Sequence, residues 1–281
     1  MRSFFLSLFC VLLASVWVKG QNIPHANVTG PFGVQVNTFN GNLHVQHLAL
    51  SLPNTGLSLE LQFAYNSFRD TVQLGCGKGF SFSYQMYYEA DAANTGYYLH
   101  YPDGRTVFFQ AAGSAYEAPS GIFDTWEEAV PGQFVLTTKY GIRYSFENAV
   151  HRRLTQIEDT NGNTIQIAYT AGLPTTITDP SGRFVSLIWE GMLLQSIEDG
   201  NFTEPREILF QYDSEGHLLQ FTDPLGESVH YSYNGDQLIK IINKRGDFLD
   251  LRYDPNGRVQ ELISCISKFI FQYNNQTHRT F

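Results

Sequence analysis

The second half of the sequence repeats itself about every twenty residues. Five copies align on a turn residue, which is Asp159, Asp179, Asp199, Asp223 or Asn243, and the steps between copies are 20, 20, 24 and 20 residues. Self-similarity at a fixed period of this length is typical of repeat architectures, in which each unit is a small element that stacks on its neighbours. This spacing constrains the fold more than any other feature of the chain.

Each copy has the pattern of two short β-strands joined by a turn. In the first copy Ile165, Ile167 and Tyr169 alternate with other residues, and later copies repeat the alternation. A period of two places the apolar side chains on one face of a strand. Because every connection is too short for a parallel crossover, the sequence predicts an all-β fold, an antiparallel meander of repeated β-hairpins.

The turns have their own chemistry. An aspartate opens the turn and a glycine closes it at Asp159 and Gly162, at Asp179 and Gly182, and at Asp223 and Gly226. Aspartate at the first position accepts backbone hydrogen bonds, and glycine at the last matches a four-residue type I turn. We expect repeat turns here. The third copy is longer, which predicts a surface loop at about residues 200–206.

Each of the five copies ends its second strand on an aromatic residue, and Tyr273 continues the series after the fifth copy. A single hairpin is marginal in water, so stacked neighbours must bury its apolar face. The bulky terminal rings are the largest apolar groups available for that purpose. We therefore predict a structural repeat core of Tyr169, Trp189, Tyr212, Tyr233, Tyr253 and Tyr273.

The repeat pattern decays after Gln260, where no further turn aspartate occurs. A meander that stops without a polar cap leaves an open sheet edge. We expect another chain or a downstream repeat segment to cover this edge, unless the gene is a fragment of something longer.

The first twenty residues have the pattern of a signal peptide. Arg2 precedes an uninterrupted apolar run that ends at Lys19, and cleavage before Gln21 fits the small residue at position 20. The run is shorter than the roughly 20 apolar residues that a membrane-spanning helix needs. The sequence thus predicts export, without stable membrane insertion once the signal is removed.

Composition excludes some classes of partner and leaves others open. The formal net charge is −9, which repels nucleic acid and anionic membrane surfaces.

Cys76 and Cys265 form either a disulfide or two isolated thiols. Sequons for N-glycosylation begin at Asn27, Asn201 and Asn275, and they matter only in a eukaryotic secretory pathway.

One segment supports an enzymatic alternative. In "FDTWEE", the carboxylates of Asp124, Glu127 and Glu128 surround Trp126, as the paired acids and sugar-stacking ring of a glycoside hydrolase would. A solvated acidic face is the simpler interpretation. No nucleophile elbow or phosphate-binding loop is present.

Two patterns contain residue types that bind metals, but neither has the spacing of a metal site. His44 and His47 are three residues apart, which on a strand points them to opposite faces. The segment "DTNGN" at residues 159–163 is similar to a calcium loop but lacks the later glutamate. We therefore expect neither a metal nor a cofactor.

Several phrases of the sequence resemble RHS and YD-repeat proteins. The Tyr-Asp dipeptides of "FQYDSEG" and "LRYDPNG", with "TDPLGESVHYSY" between them, have the form of YD repeats. Upstream, "VQVNTFNGNLHVQHLALSLPNTGLSLELQFAYNS" resembles the opening segment of RHS proteins, and "GCGKGFSFSYQMYY" and "YPDGRTVFF" resemble the strands that follow it. The likeness covers nearly all of the chain after the signal sequence.

The resemblance implies a curved or spiralling sheet that forms part of a shell. Relatives enclose a toxic domain in bacterial toxins or form an adhesive extracellular body in animal teneurins. We expect a signal peptide at 1–20, an RHS-like β region at 21–150 and a YD-repeat hairpin array at 151–281. The predicted function is a secreted or cell-surface structural module that binds a partner chain or a surface glycan without catalysis. The alternatives are a truncated shell component of a polymorphic toxin system and the secreted hydrolase above.

Overall fold

A computed structural model describes residues 27–147, 152–203 and 206–273. The predicted signal peptide, part of the predicted loop at 200–206 and the sequon at Asn275 lie outside these residues. The fold class is confirmed: within the described ranges the regular elements are antiparallel β-strands and two short 3₁₀ turns at Pro31–Gly33 and Ser67–Arg69. None of the described segments contains a helix long and apolar enough to cross a membrane.

The first sheet of the described chain has five strands, which follow each other in sequence order. They are β1 (Asn27–Thr29), β2 (Val34–Asn37), β3 (Leu43–Leu52), β4 (Leu59–Asn66) and β5 (Phe80–Phe82). Alternate residues such as Val45, Leu61 and Phe63 are buried, as the period of two predicts. We call this element the inner sheet, because later strands cover its apolar face.

A second, four-stranded sheet comes next in the chain. It consists of β6 (Tyr87–Ala90), β7 (Gly96–His100), β8 (Thr106–Ala112) and β9 (Ala115–Glu117). The turn between β7 and β8 spans residues 101–105, and it touches the inner sheet where Asn66 Nδ2 donates to the carbonyl of Asp103 at 3.4 Å.

The remaining described strands form one 15-stranded sheet, which we call the repeat sheet. Its strands are β10 (Thr125–Val130), β11 (Gln133–Thr137), β12 (Arg143–Phe146), β13 (Leu154–Glu158), β14 (Thr164–Thr170), β15 (Leu173–Thr178), β16 (Phe184–Glu190), β17 (Leu193–Asp199), β18 (Arg206–Tyr212), β19 (Leu218–Thr222), β20 (Ser228–Asn234), β21 (Gln237–Ile242), β22 (Phe248–Tyr253), β23 (Val259–Ser264) and β24 (Lys268–Ile270). Each strand pairs antiparallel with the next, so the predicted meander is confirmed.

The repeat sheet begins before the first YD-type copy. Strand β12 pairs with β13, so the sheet continues from one side of residue 151 to the other, as expected. The proposed division into regions 21–150 and 151–281 stays a prediction.

The repeat sheet carries one β-bulge in each repeat, which the sequence pattern did not predict. In each of six hairpins the register shifts by one residue, so that one residue of the second strand has no partner opposite it. The extra residues are Thr155, Thr175, Gln195, Leu219, Ile239 and Gln260. Because a bulge bends its strand and increases the local twist, a bulge at every repeat gives a long sheet a consistent curvature.

The core lies between the inner sheet and the repeat sheet. The rings of Phe63 and Phe210 are 5.0 Å apart, and those of Phe80 and Tyr231 are 5.4 Å apart. Both partners come from alternating apolar positions, one in each sheet. The inner sheet thus supplies the apolar surface that the repeat hairpins need on the face that their neighbours do not cover.

Candidate functional site: the aromatic ladder and the sheet edge

The six predicted ladder rings occupy equivalent places in successive hairpins. Five of them pack half-buried against the core, and Tyr273 is half-buried near the end of the described residues. Each donates a hydrogen bond to the backbone carbonyl of a residue in the preceding hairpin, at 2.6 to 2.8 Å. The pairs are Tyr169 with Leu154, Trp189 with Pro174, Tyr212 with Leu194, Tyr233 with Leu218, Tyr253 with Leu238, and Tyr273 with Val259.

The accepting residues share one structural feature. Each lies directly before the extra residue of a bulge, opposite an aromatic residue of its own hairpin; Leu218, for example, pairs with Tyr212 and precedes Leu219. A bulge disrupts the ladder of backbone hydrogen bonds and leaves polar groups to be satisfied elsewhere. The ring of the following hairpin supplies that partner, so adjacent copies are coupled by one hydrogen bond each.

The inner sheet and its loops satisfy amides at the same positions. The backbone amide of Leu194 donates to the carbonyl of Gly75 at 2.8 Å, and that of Val259 donates to the carbonyl of Gly41 at 2.9 Å. The amide of Leu238 donates to the Tyr65 hydroxyl at 3.2 Å. Pro174, at the corresponding position of another copy, has no amide hydrogen to satisfy. The inner sheet and its loops therefore bind the repeat sheet through hydrogen bonds from backbone amides that lie next to the bulges.

Burial raises the pKa of the ladder tyrosines. The pKa of Tyr233 and Tyr253 lies far above the ordinary tyrosine value, and that of Tyr273 is raised to about 12. Tyrosine hydroxyls are protonated at physiological pH, and burial extends this protonation to higher pH. This arrangement is suited to holding hairpins together.

The turn aspartates are engaged by their own turns. Asp159 Oδ1 accepts from the amides of Asn161 and Asn163, and its Oδ2 accepts from the Asn163 side chain. The i to i+3 backbone bond from Gly162 to Asp159 closes the turn at 3.1 Å. Gly162, Gly182 and Gly226 all have φ near +80°, a region that glycine adopts without strain. The "DTNGN" segment thus uses its oxygens internally, which favours the turn over the calcium loop.

One cluster in the described residues has metal-ligating side chains close together. Single ligating atoms of Glu215, His217 and Asp236 lie within 4.8 Å of one another. Both ring nitrogens of His217 already have partners, Asp213 Oδ2 at 2.8 Å and Asp236 Oδ1 at 2.9 Å. Lys78 Nζ also binds Asp236, at 2.6 Å. The cluster is an ion-pair network that joins the loop before β5 to the repeat sheet.

The hydrolase alternative needs an exposed ring at Trp126, which the structure does not provide. Trp126 is 2% exposed and stacks on Phe134 with a centroid distance of 5.2 Å, so its ring lies in the core and has no face for a sugar. Glu127 and Glu128 are exposed, and Glu128 accepts from the Gly132 amide. The structure therefore separates the ring from the acids that the sequence placed together.

The two histidines lie as predicted, on opposite faces of β3. His47 packs edge-on against Phe221 at 4.4 Å, and burial lowers its pKa to about 4, with Lys244 adding to the effect. His44 is 2% exposed on the other face. The two cysteines are not bonded to each other, since Cys76 is buried and Cys265 is exposed.

The described part of the repeat sheet ends at β24. This strand pairs with β23 along one side, where Phe269 lies opposite Leu262. Ile270 is 61% exposed, and Ile266 in the preceding turn is 90% exposed. Among the described residues no strand pairs with the other side of β24. An edge strand with exposed apolar side chains is a template for a further strand. The covering of this edge by another chain or a downstream repeat segment stays a prediction.

Sequence reasoning missed a polar cleft beside the turn at 101–105. Its residues are scattered over the three sheets, so no local spacing connects them. The one local signal is the "YPDGR" turn itself, in which an aromatic residue and two charged residues lie within five positions.

Two family models match the chain. Residues 131–279 match the model described as Teneurin YD-shell, and residues 33–109 match one described as a domain of unknown function, DUF6531. The first match covers a little more than half of the chain. No curated protein matches the sequence.

Solved structures of toxin complexes are similar to this chain. The crystal structure of TcdB2-TccC3-TEV is 14% identical with a TM-score of 0.37, over 83% of this chain and 12% of the other. The Photorhabdus luminescens Tc holotoxin pore with a mutated TccC3 is 13% identical with a TM-score of 0.33, over 83% of this chain and 12% of the other. The crystal structure of TcdB2-TccC3-Cdc42 is 14% identical with a TM-score of 0.33, over 82% of this chain and 12% of the other.

Proposed function

Because this chain belongs to the Teneurin YD-shell family, we propose that it is a non-enzymatic wall segment whose β24 edge pairs with a strand of another YD-repeat chain. The observation that supports the proposal is the outer side of β24, which pairs with no strand among the described residues. A strand added at β24 would continue the same antiparallel meander and cover Ile270.

The secreted or cell-surface location belongs to the same proposal. It is supported by the apolar segment that follows Arg2. A shell component of a polymorphic toxin system is a narrower form of the proposal, which membership of the YD-shell family allows. A surface glycan is a second candidate ligand, favoured by the polar cleft beside Tyr101.

The edge is tested by self-association, with a second copy of the chain as the available YD-repeat partner. Sedimentation velocity over a range of concentrations should show assembly of the wild-type protein. Ile270→Lys should shift the protein towards the monomer, because a charge on an edge strand opposes pairing. Leu225→Lys is the matched control, since Leu225 is 84% exposed on a turn away from the edge.

Two results would contradict the proposal. One is a wild-type protein that stays monomeric at every concentration. The other is an Ile270→Lys variant that associates as strongly as the wild type while Leu225→Lys behaves in the same way. Thermal melts of both variants check that folding is preserved.

A further inference from the structure

A cleft of about 330 Å³ lies where the three sheets meet. The inner sheet contributes Gln46 and Gln62, the turn between β7 and β8 contributes Tyr101 and Arg105, and Tyr144 lies on β12 of the repeat sheet. The volume falls within the range of sites that bind small molecules. The cleft exists only in the folded chain, because each wall comes from a different sheet.

Two buried donors in the cleft have no partner among the described residues. These are the hydroxyl of Tyr101 and Nε of Arg105. The Arg105 guanidinium lies 3.9 Å from the centroid of the Tyr101 ring, which holds both groups in place. Asp103 Oδ2 is 3.7 Å from Arg105 Nε, too far for a hydrogen bond. Buried donors are nearly always satisfied by protein groups or by ordered water, so this pair is available to bind the acceptor atoms of a ligand that enters the cleft.

Acceptors lie in the same cleft. The Lys139 amide donates to Asp124 Oδ1 at 3.2 Å, and Asp124 and Asp103 both line the cleft. Tyr144, Asp124 and Arg105 line the same cleft. Burial raises the pKa of Tyr144, and the charge of Asp124 adds to this effect while that of Arg105 opposes it. A ligand here must accept hydrogen bonds at some atoms and donate them at others.

The charge balance narrows the ligand class. Two carboxylates outnumber one guanidinium, which disfavours an anion, whereas a cation would leave the Tyr101 and Arg105 donors without acceptors. The half-buried rings of Tyr101 and Tyr144 also line the cleft and offer a surface for C–H groups. A neutral molecule with many hydroxyls and apolar ring faces meets all of these conditions.

We propose that this cleft binds a neutral saccharide and that Tyr101, Arg105 and Asp124 provide its polar contacts. The proposal deepens the glycan-binding part of the proposed function and requires only the fold, so it does not depend on pairing at the β24 edge.

The test uses the full secreted chain on an array of immobilised neutral and anionic oligosaccharides, followed by calorimetric titration with the neutral oligosaccharide that gives the strongest signal. We expect binding to neutral glycans. Tyr101→Phe and Arg105→Gln should each weaken it about tenfold, the equivalent of one well-formed hydrogen bond to a polar group. Arg252→Gln is the matched control, because Arg252 is an exposed arginine on β22 with a surface ion pair to Glu261.

Three results would overturn the saccharide site. They are no binding to any glycan, a preference for anionic glycans, and neutral-glycan binding that both cleft variants leave unchanged. Melting temperatures separate loss of binding from loss of folding, and Tyr101→Phe, which removes one oxygen, remains informative if Arg105→Gln is unstable. Ile270→Lys leaves the cleft intact, so the two proposals fail independently.

Discussion

The Tyr233 side chain offers a direct test of the ladder. Its ring packs against the core and stacks on His217 at 4.7 Å, and its hydroxyl donates to the carbonyl of Leu218 at 2.8 Å. Truncation to alanine removes both the ring and the hydrogen bond. Substitution by phenylalanine removes the hydrogen bond alone.

The two changes should differ in magnitude. Tyr233→Ala should cost about 3 to 5 kcal/mol of unfolding free energy, the usual range for removing a large aromatic side chain from a packed site. Tyr233→Phe should cost about 1 to 2 kcal/mol, because the Leu218 carbonyl loses its partner in a partly buried place. For a chain of this size each kcal/mol lowers the melting temperature by about 2–4 °C.

Chemical denaturation and thermal melts of both variants measure these costs. Tyr140→Phe is the control, because Tyr140 is 75% exposed and the change should stay within about 0.5 kcal/mol. A Tyr233→Ala variant as stable as the wild type would refute the ladder as a source of stability. A Tyr233→Phe variant indistinguishable from the control would refute the contribution of the hydrogen bond.

Three further predictions follow from other parts of the structure. The pKa of His47 in the folded protein is lowered to about 4, below the unfolded value of about 6.5, so protonation of His47 favours unfolding. The unfolding free energy of the wild type should therefore fall as the pH drops from 6.5 to 4. The fall should be steeper than in His47→Leu. Gly77→Ala should destabilise the protein more than Gly226→Ala in urea titrations. Both glycines have positive φ, but only at Gly77 would an added Cβ lie 2.8 Å from Leu218 Cβ. Equal costs would contradict the close packing of the Gly77 loop against the repeat sheet. Glycosidase assays should detect no turnover, and hydrolysis lost in Glu127→Gln would reverse the assignment as a non-enzymatic wall.

The local chemistry of the repeats could be predicted from the sequence because it depends on neighbours in the chain. The turn at Asp159 is made by residues within four positions of it, and the alternation of Ile165 and Ile167 specifies which face is buried. Such short-range preferences need no knowledge of the rest of the fold.

The bulges and the cleft could not be predicted in this way. A bulge is a mismatch of register between two strands, so it depends on which residues pair. Ile239 has the sequence pattern of an ordinary strand residue, and only the pairing of Tyr233 with Leu238 shows that it is the extra residue of a bulge. The cleft depends on contacts between residues such as Gln62 and Tyr144, which are far apart in sequence. The burial of Trp126 could not be predicted for the same reason, since it depends on tertiary packing against rings such as Phe134.

Hydrogen exchange at residue resolution in Tyr253→Phe tests the coupling of each hairpin to the one before it. The Tyr253 hydroxyl binds the Leu238 carbonyl at 2.8 Å, so its removal should raise exchange in β20 and β21, the hairpin that precedes its own. Strands β14 and β15, three copies away, should keep their protection. Unchanged exchange in β20 and β21, or faster exchange confined to β22 and β23, would contradict the account.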